Sequence, residues 1–359
     1  MEMDKVYEEK LIEALKVVAP GTKLRQGLED ILRAKTGALI VVGDSPNVME
    51  IVEGGFQINS PFSPSYLYEL AKMDGAIILN RDVSKILYAN AQLVPGSTIP
   101  STETGIRHRT AERVARQTEE LVISISQRRN VITLYKGIIK YYLRDISVIL
   151  TKANQAIQIL EKYKTVLDRA LSNLSALEYD DLVTVSDVVK VLQRTEMVMR
   201  IVKELEKYIT ELGVEGRLIN MQVEELVNNV EEEGLLVIRD YYQRAHEKTP
   251  EEIMQIIRTW SSEELLDFPG LARELGYILN HNNTDVSVSP RGYRLLNKIP
   301  RLPGQVIENI LASFPNFQSI LDASLEELDE VEGIGEVRAR NIKDGLRRLR
   351  EQIFLDRHI

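Results

Sequence analysis

The chain has 359 residues, of which 44% are hydrophobic and 28% charged, as in globular proteins of two or three domains. It contains no cysteine, which excludes disulfides, thiolate zinc sites and cysteine nucleophiles, and its net charge of −9 restricts any contact with nucleic acid to a local patch. The N-terminus lacks the pattern of a signal peptide and no apolar run is long enough to span a membrane, so we expect a cytoplasmic protein without membrane contact.

The first part of the chain, residues 1–144, alternates helical patterns with short apolar runs. A helix is expected from Arg107 to about Gln117, and the apolar runs predict buried strands. The alternation indicates an α/β domain with a central sheet and helices on its faces. The predicted strands are residues 38–42, 76–79, 86–89, 121–125 and 131–135.

The rest of the chain is predicted to be helical. Long amphipathic patterns follow residue 145 with no glycine or proline before Gly213, and shorter helices follow from about residue 248. Two short helix–turn–helix units come last, one turning at Pro303-Gly304 and the other at Gly333-Ile334-Gly335. The prediction is a multidomain chain with an α/β domain over 1–144, a helical linker over 145–285 and a compact all-α domain over 286–359.

Basic residues cluster where the helix of the first domain begins. Arg107-His108-Arg109 follows Gly105, although cations at a helix N-terminus oppose the helix dipole. Free backbone N–H groups, a glycine and arginine side chains together form a phosphate site. The alternative is a solvated basic patch paired with Glu103 and Glu112. Composition favours neither the phosphate site nor the basic patch, whereas the order of the residues favours the phosphate site.

Asp74-Gly75-Ala76 precedes a predicted strand, which places a carboxylate at a strand end. Such an aspartate can hold a divalent ion or polarise a hydroxyl, and the glycine leaves room for a ligand. A plain turn aspartate is the better interpretation of this stretch taken alone. The turn from Ser126 to Asn130 adds hydroxyl and guanidinium donors between two strands, or is a polar hairpin that faces water.

Two common kinds of site are missing from the sequence. No Walker-type or Gly-x-Gly-x-x-Gly stretch occurs, which disfavours the common nucleotide-binding folds. His246 and His281 are isolated and no histidine pair has the spacing of metal ligands, so a zinc hydrolase is not expected.

The turn Gly333-Ile334-Gly335 has the form of a DNA-binding hairpin. Two glycines around one apolar residue allow a tight turn whose backbone N–H groups can bind a DNA phosphate at the next helix start, independently of base sequence. Arg338, Arg340 and Lys343 follow the turn and are predicted to contact DNA with it. A helical oligomerisation module is the alternative.

Together these stretches resemble the DisA family of DNA integrity scanning proteins, which are bacterial diadenylate cyclases. The resemblance covers nearly the whole chain. It implies an N-terminal cyclase domain, a helical linker and a C-terminal tandem helix–hairpin–helix domain that binds branched DNA. It also implies a homo-octamer in which cyclase domains meet face to face and each supplies one ATP. It rests on Asp74-Gly75-Ala76, Arg107-His108-Arg109-Thr110, residues 126–130, the helical middle, Arg291 to Leu296 and the Gly333-Ile334-Gly335 hairpin.

The resemblance also implies roles for single residues. Asp74 would be catalytic, assisting attack of a ribose 3′-hydroxyl through bound Mg²⁺ or Mn²⁺, and His108 would ligate the metal or donate to a phosphate. Ile106 stands where threonine is common in the family, so only a backbone contact is expected there. The nucleotide-binding residues implied are Gly75, Ala76, Leu93, Ile106, Arg107, His108, Arg109, Thr110, Ser126 and Arg128.

The resemblance therefore predicts an enzyme that joins two ATP molecules into cyclic di-AMP and releases two pyrophosphates. It would serve a DNA-integrity and sporulation checkpoint, with a recombination ATPase as an expected partner. A non-catalytic, nucleotide-sensing, DNA-binding repair scaffold is the second hypothesis. Asp74 distinguishes the two hypotheses and favours the enzyme, because a phosphate sensor gains little from a carboxylate beside the phosphates. A nuclease ranks last, since it needs clustered carboxylates for two metals and the sequence offers no convincing set.

Overall fold

The computed structural model describes residues 2–243, 248–279 and 283–356. The chain divides into two compact units, Met1–Gln155 with Leu205–Met221, and Ala156–Glu204 with Gln222–Ile359. The predicted linker thus contributes to both units. His246 and His281, which the sequence leaves without metal-ligand spacing, lie outside the described residues.

The first unit is built on a mixed sheet, as predicted. Its described strands are β1 (Ala38–Val42), β2 (Val52–Glu53), β3 (Phe56–Pro61), β4 (Ala76–Leu79), β5 (Lys85–Leu93), β6 (Leu121–Ser126), β7 (Val131–Lys136) and β8 (Ile139–Tyr142). They lie in the order β2-β5-β4-β1-β6-β7-β8, and β3 also pairs with β5. β1 and β4 run parallel, and the other described pairs are antiparallel. All five predicted strands are confirmed, β5 being longer than expected.

Helices cover both faces of this sheet because its central strands are apolar on both sides. The unit contains α1 (Glu2–Val17), α2 (Lys23–Arg33), α3 (Pro46–Met49), α4 (Pro64–Leu70) and α5 (Ile106–Thr118). Ile40 and Val42 of β1 belong to the core formed with α1, α2 and α4, whereas Leu39 and Val41 belong to the core formed with α5. The helix predicted from Arg107 is therefore confirmed, and it packs on one face of the sheet.

The second unit is helical, and three of its helices also contribute residues to the first. The described helices are α6 (Ile146–Tyr179), α7 (Val185–Leu212), α8 (Arg217–Val227), α9 (Val230–Tyr241), α10 (Pro250–Thr259), α11 (Phe268–Glu274), α12 (Tyr293–Asn297), α13 (Gly304–Ser313), α14 (Phe317–Asp322), α15 (Leu325–Asp329) and α16 (Glu336–Asp356). Helices α12 to α16 share one hydrophobic core, which confirms a compact all-α end of the chain. None of the described helices has the length and apolar character needed to cross a membrane.

A buried network of charges links α6, α9 and α12 within this unit. Arg294 is fully buried and donates to the carboxylate of Glu178 and to the hydroxyl of Ser175. Asp240 accepts the backbone N–H groups of residues 292–294 at 2.7, 2.7 and 3.0 Å. It thereby caps α12, whose N-cap glycine supplies no side chain. Burial and the charge of Glu178 raise the pKa of Asp240 to about 7, while the backbone hydrogen bonds oppose that rise.

Candidate functional site

Strand register brings the predicted nucleotide-binding stretches to one end of the sheet. Ala76 of β4 pairs with Ala91 of β5 and with Leu39 of β1, and Leu39 also pairs with Ser124 of β6. These residues form one row across four strands. Just beyond the row lie Gly37, Asp74, Leu93 and Ser126. We call this edge the site end of the sheet.

Helix α5 begins without a cap. Its N-cap residue, Gly105, has no side chain to accept a hydrogen bond, and its first turn contains no acidic residue. The N–H of Arg109 donates to the Gly105 carbonyl at 2.9 Å, which leaves the N–H groups of residues 106–108 outside the helix ladder. The side chain of Ile106 is 83% exposed, so the helix start is open to solvent. Free N–H groups at the positive end of a helix dipole attract anions, as the sequence predicts here.

Arg107 and Arg109 use their guanidinium groups differently. A Cβ atom on Gly37 would lie 2.0 Å from Nη1 of Arg107, so this guanidinium lies directly over the glycine that precedes β1. Among the described residues, Arg107 makes no hydrogen bond or ion pair. Arg109 donates to the backbone carbonyls of Glu103 and Thr104, both at 3.3 Å, and so fixes the loop before α5. The charge of Arg107 is therefore available to a ligand.

The alternative of a self-paired basic patch fails for these two arginines. Glu112 pairs with Arg116 at 2.7 Å, and Glu103 pairs with Lys140 at 2.5 Å. Neither carboxylate contacts the guanidinium of Arg107 or Arg109. The positive charge at the start of α5 is thus left without a compensating acid in the described part of the chain.

Asp74 is exposed and, within the described residues, forms no hydrogen bond or ion pair. Its carboxylate is free to hold a cation. The neighbouring Gly75 has a φ of 94°, and a Cβ there would lie 2.8 Å from the carbonyl carbon of Asn90. Left-handed backbone and close packing on β5 therefore require this glycine. The expectation that it leaves room for a ligand is corrected: β5 fills that space.

Other predicted residues lie near the site end with less direct roles. The side chains of Ala76 and Leu93 are buried in the core on the α5 face. The hydroxyl of Ser126 accepts the N–H of Arg129 at 3.3 Å, which closes the turn after β6. Arg128 in this turn is exposed, and Thr110 on the second turn of α5 is half-buried.

His108 is hydrogen-bonded to the sheet. Its Nδ1 atom lies 3.0 Å from the hydroxyl of Tyr135, and that hydroxyl donates to Glu103 at 2.9 Å. Burial lowers the pKa of His108; Glu103 opposes this, and nearby cations, Arg129 foremost, lower the pKa further. Sequence reasoning missed Tyr135 and Glu103 as parts of the site. Their only sequence signal is a tyrosine inside an apolar strand and an acid before a basic helix start.

The second unit ends in two hairpins whose hydrogen-bond pattern repeats at an interval of 32 residues, so that Leu302 in the first hairpin corresponds to Ile334 in the second. In each, one turn N–H donates three residues back, and the next helix begins with two N–H groups donating to one carbonyl. In the first hairpin, the N–H of Leu302 donates to the carbonyl of Ile299, and the N–H groups of Val306 and Ile307 donate to that of Pro303. In the second hairpin, the N–H of Ile334 donates to the carbonyl of Val331, and the N–H groups of Arg338 and Ala339 donate to that of Gly335. The predicted tandem arrangement is therefore present.

The second hairpin leaves backbone N–H groups unpaired, as a phosphate site requires. The N–H groups of Gly335, Glu336 and Val337 have no partner among the backbone hydrogen bonds of the described residues. Gly333 has a φ of 84°, which explains the first glycine of the turn. Ile334, predicted to bind DNA, instead packs in the core with 7% exposure and anchors the hairpin.

The basic residues predicted to contact DNA are partly used within the protein. Arg338 folds back onto a carbonyl of the hairpin, and Arg340 pairs with Glu336 at 2.8 Å. Lys343 donates to the carbonyl of Leu321 at 2.7 Å, and burial lowers its pKa. The prediction for Lys343 is corrected, because its ammonium group caps the end of α14.

A cavity of about 780 Å³ between the two hairpins holds other cations. Arg301 of the first hairpin and Arg348 of α16 both line it. Both side chains are exposed, and neither makes a hydrogen bond or ion pair within the described residues. Sequence reasoning assigned a DNA contact to neither residue: Arg348 lies beyond the three cations predicted after the second hairpin, and Arg301 stands apart from any basic run. These two arginines are the better candidates for phosphate contact.

Three family models match the chain. Residues 25–138 match DisA bacterial checkpoint controller nucleotide-binding, and residues 143–284 match DisA bacterial checkpoint controller linker region. Residues 316–345 match the helix-hairpin-helix motif, which covers the second hairpin. The first match contains the site end of the sheet, and the third contains the backbone N–H groups of residues 335–337.

Curated relatives named DNA integrity scanning protein DisA are similar over almost the full length. The protein of Carboxydothermus hydrogenoformans is 66% identical over 345 residues, covering 96% of this chain and 98% of its own. One from Clostridium botulinum is 59% identical over 350 residues, covering 98% of each. That of Clostridium perfringens is 57% identical over 357 residues, covering 99% of this chain and 100% of its own. Identity at this level runs through both units, and the chain belongs to the DisA family of DNA integrity scanning proteins.

Proposed function

We propose that this chain is a diadenylate cyclase that joins two ATP molecules into cyclic di-AMP with release of two pyrophosphates. The observation that carries the proposal is the site end of the sheet. There the unpaired carboxylate of Asp74, the uncapped start of α5 and the unpaired guanidinium of Arg107 occur together. A carboxylate beside a phosphate site suits catalysis better than passive phosphate binding.

The reaction needs little covalent chemistry from the protein. Each ribose 3′-hydroxyl attacks the α-phosphate of the other ATP, and pyrophosphate leaves. The N–H groups of residues 106–108 and the guanidinium of Arg107 would bind phosphate oxygens and neutralise their charge. Positioning and electrostatic stabilisation supply most of the rate in such phosphoryl transfers. Asp74 would act at the attacking hydroxyl.

A Mg²⁺ or Mn²⁺ ion fits this donor set. The described residues contain no cluster of three or more histidine or acidic side chains that could hold a metal unaided. Mg²⁺ usually keeps several waters and binds through one or two carboxylates plus substrate phosphates, so Asp74 can serve as the protein ligand. When bound, the ion would neutralise phosphate charge and make the hydroxyl more acidic.

The assembly and partners are proposed from the family resemblance. Because the product contains two nucleotides, two chains would meet with their site ends face to face, within a homo-octamer. The hairpins would bind branched DNA and pass that signal through the linker to the cyclase. A recombination ATPase in the cytoplasm would be a further partner.

The test is mass spectrometry of the products after the purified full chain is incubated with ATP and either Mg²⁺ or Mn²⁺. We expect cyclic di-AMP and two pyrophosphates per molecule of product, and none when the metal is chelated. Tight ATP binding without any product would reject the cyclase. It would favour the second hypothesis, a nucleotide-sensing scaffold on DNA.

The hairpin cavity gives a separate prediction for DNA binding. Arg348→Gln should weaken binding to all DNA sequences alike, because the lost contact is to phosphate. The slope of log affinity against log salt should become shallower by about 0.9, the value for one phosphate contact. Fluorescence anisotropy with duplex and branched DNA at several salt concentrations measures both quantities.

Arg347→Gln is the matched control, because Arg347 is the adjacent arginine on α16. It pairs with Asp344 at 3.2 Å and does not line the cavity. We expect its salt slope to equal that of the parent chain. Equal losses in the two variants would show that only the net charge of α16 matters.

A further inference from the structure

A chain of hydrogen bonds runs behind the start of α5. Glu103 lies in the loop before the helix, Tyr135 on β7, and His108 on the first turn of α5. The Tyr135 hydroxyl is 2.9 Å from Oε1 of Glu103 and 3.0 Å from Nδ1 of His108. Tyr135 is only 1% exposed, so its hydroxyl depends on these partners.

The direction of each hydrogen bond follows from charge. Glu103 pairs with Lys140, and although burial would raise the pKa of Glu103, the bonds from Lys140 and Tyr135 lower it overall. Glu103 is therefore a carboxylate and can only accept. Burial and this carboxylate raise the pKa of Tyr135, which keeps its one hydroxyl hydrogen and gives it to Glu103.

The remaining contact decides the tautomer of His108. With its hydrogen given to Glu103, the Tyr135 oxygen can only accept from Nδ1 of the imidazole. Nδ1 must then carry the ring hydrogen, and Nε2 of the neutral ring carries a lone pair. The Cδ2 atom, bonded to Nε2, lies 3.9 Å from the Cβ position of Gly105, so this edge of the ring faces the start of α5.

We propose that Glu103 and Tyr135 are positioning residues that hold His108 as its Nδ1–H tautomer, so that Nε2 accepts from a hydroxyl or binds a cation in the nucleotide site. A lone pair at Nε2 would repel a phosphate oxygen. Of the two roles that the family resemblance leaves open for His108, donation to a phosphate is therefore the one this network opposes. The catalytic part of this inference rests on the proposed cyclase activity, whereas the tautomer does not.

The tautomer is measured by NMR of the full chain labelled with ¹⁵N-histidine, without ATP, at about pH 8, where an imidazole is neutral. The chain has four histidines, and His108→Gln identifies the signal of interest. The parent should show a protonated Nδ1 and an unprotonated Nε2 at His108. Tyr135→Phe should shift the ring to its usual Nε2–H form, and Tyr66→Phe, an exposed tyrosine on α4, should leave it unchanged.

Glu103→Ala provides a second variant that keeps the tyrosine ring and guards against a folding defect in Tyr135→Phe. Without the carboxylate, the Tyr135 hydroxyl can donate to Nδ1, and the tautomer should reverse. A parent His108 already protonated at Nε2, or one unchanged in both variants, would overturn the proposal.

Rates of cyclic di-AMP formation give the functional readout. Tyr135→Phe should lower kcat by roughly tenfold to a hundredfold with little change in KM for ATP, as when a partner that orients a histidine is lost. An unchanged kcat despite the altered tautomer would remove the catalytic part of the inference. A parent that makes no product would reject the cyclase while leaving the tautomer result intact.

Discussion

Asp74→Asn should reduce cyclic di-AMP formation on the order of a thousandfold, about 4 kcal/mol in the activation barrier. Asparagine keeps the shape of the side chain but removes the charge that holds a divalent ion and draws on the attacking hydroxyl. The carboxylate has no hydrogen bond or ion pair within the described residues, so the fold should not depend on it. Initial rates by mass spectrometry measure the loss, and thermal unfolding of both proteins checks that stability is equal.

Asp44→Asn is the control for this substitution. Asp44 is also exposed and also flanks a sheet strand, but it follows β1 at the end opposite to the site end. Its rate should match that of the parent. If Asp74→Asn retained the parent rate under the same conditions, the carboxylate would have no part in the reaction.

Arg294→Met should lower the free energy of unfolding of the second unit by about 3–5 kcal/mol. Methionine fills much of the arginine volume, so the main loss is electrostatic. Glu178 is fully buried and would lose its cationic partner, and the cap on α12 would lose a neighbouring charge. Chemical denaturation followed by fluorescence measures the change, since the single tryptophan, Trp260, lies in this unit.

Two further variants test the reason for that loss. Arg169→Met removes an exposed arginine from α6 and should change stability by less than about 0.5 kcal/mol. Adding Glu178→Gln to Arg294→Met removes the stranded charge and should recover part of the lost stability. A parent-like midpoint for Arg294→Met alone would show that the network contributes nothing to folding.

The central strands could be predicted from sequence because they are apolar on both faces. β1 is buried at every position, and a short apolar run between glycines indicates this directly. β3 could not be predicted, because it is a mostly exposed strand whose pairing is interrupted between Gln57 and Ser60. Asn59, inside the interruption, has a φ of 49°, a bulge-like feature with no periodic signature.

The candidate site likewise has features that the sequence predicts and features that it does not. The uncapped, basic start of α5 was predictable, because a glycine followed by arginines at a helix start can be seen in the sequence itself. The roles of Tyr135 and Lys343 depend on contacts with residues 32 and 22 positions away, which local pattern does not show. The sequence indicates that Gly75 needs to be a glycine, but it does not show why. The reason is the close approach of β5, which exists only in the folded sheet.

The two hairpins differ at the position where the chain turns left-handed. Gly333 holds it in the second hairpin, whereas Arg301, with a φ of 63°, holds it in the first. A side chain there costs roughly 1 kcal/mol relative to glycine. Folding therefore favours glycine at this position, whereas the proposed phosphate contact requires the arginine side chain. Arg301→Gly should make the chain more stable and a weaker DNA binder, a combination that no loss of structure can produce.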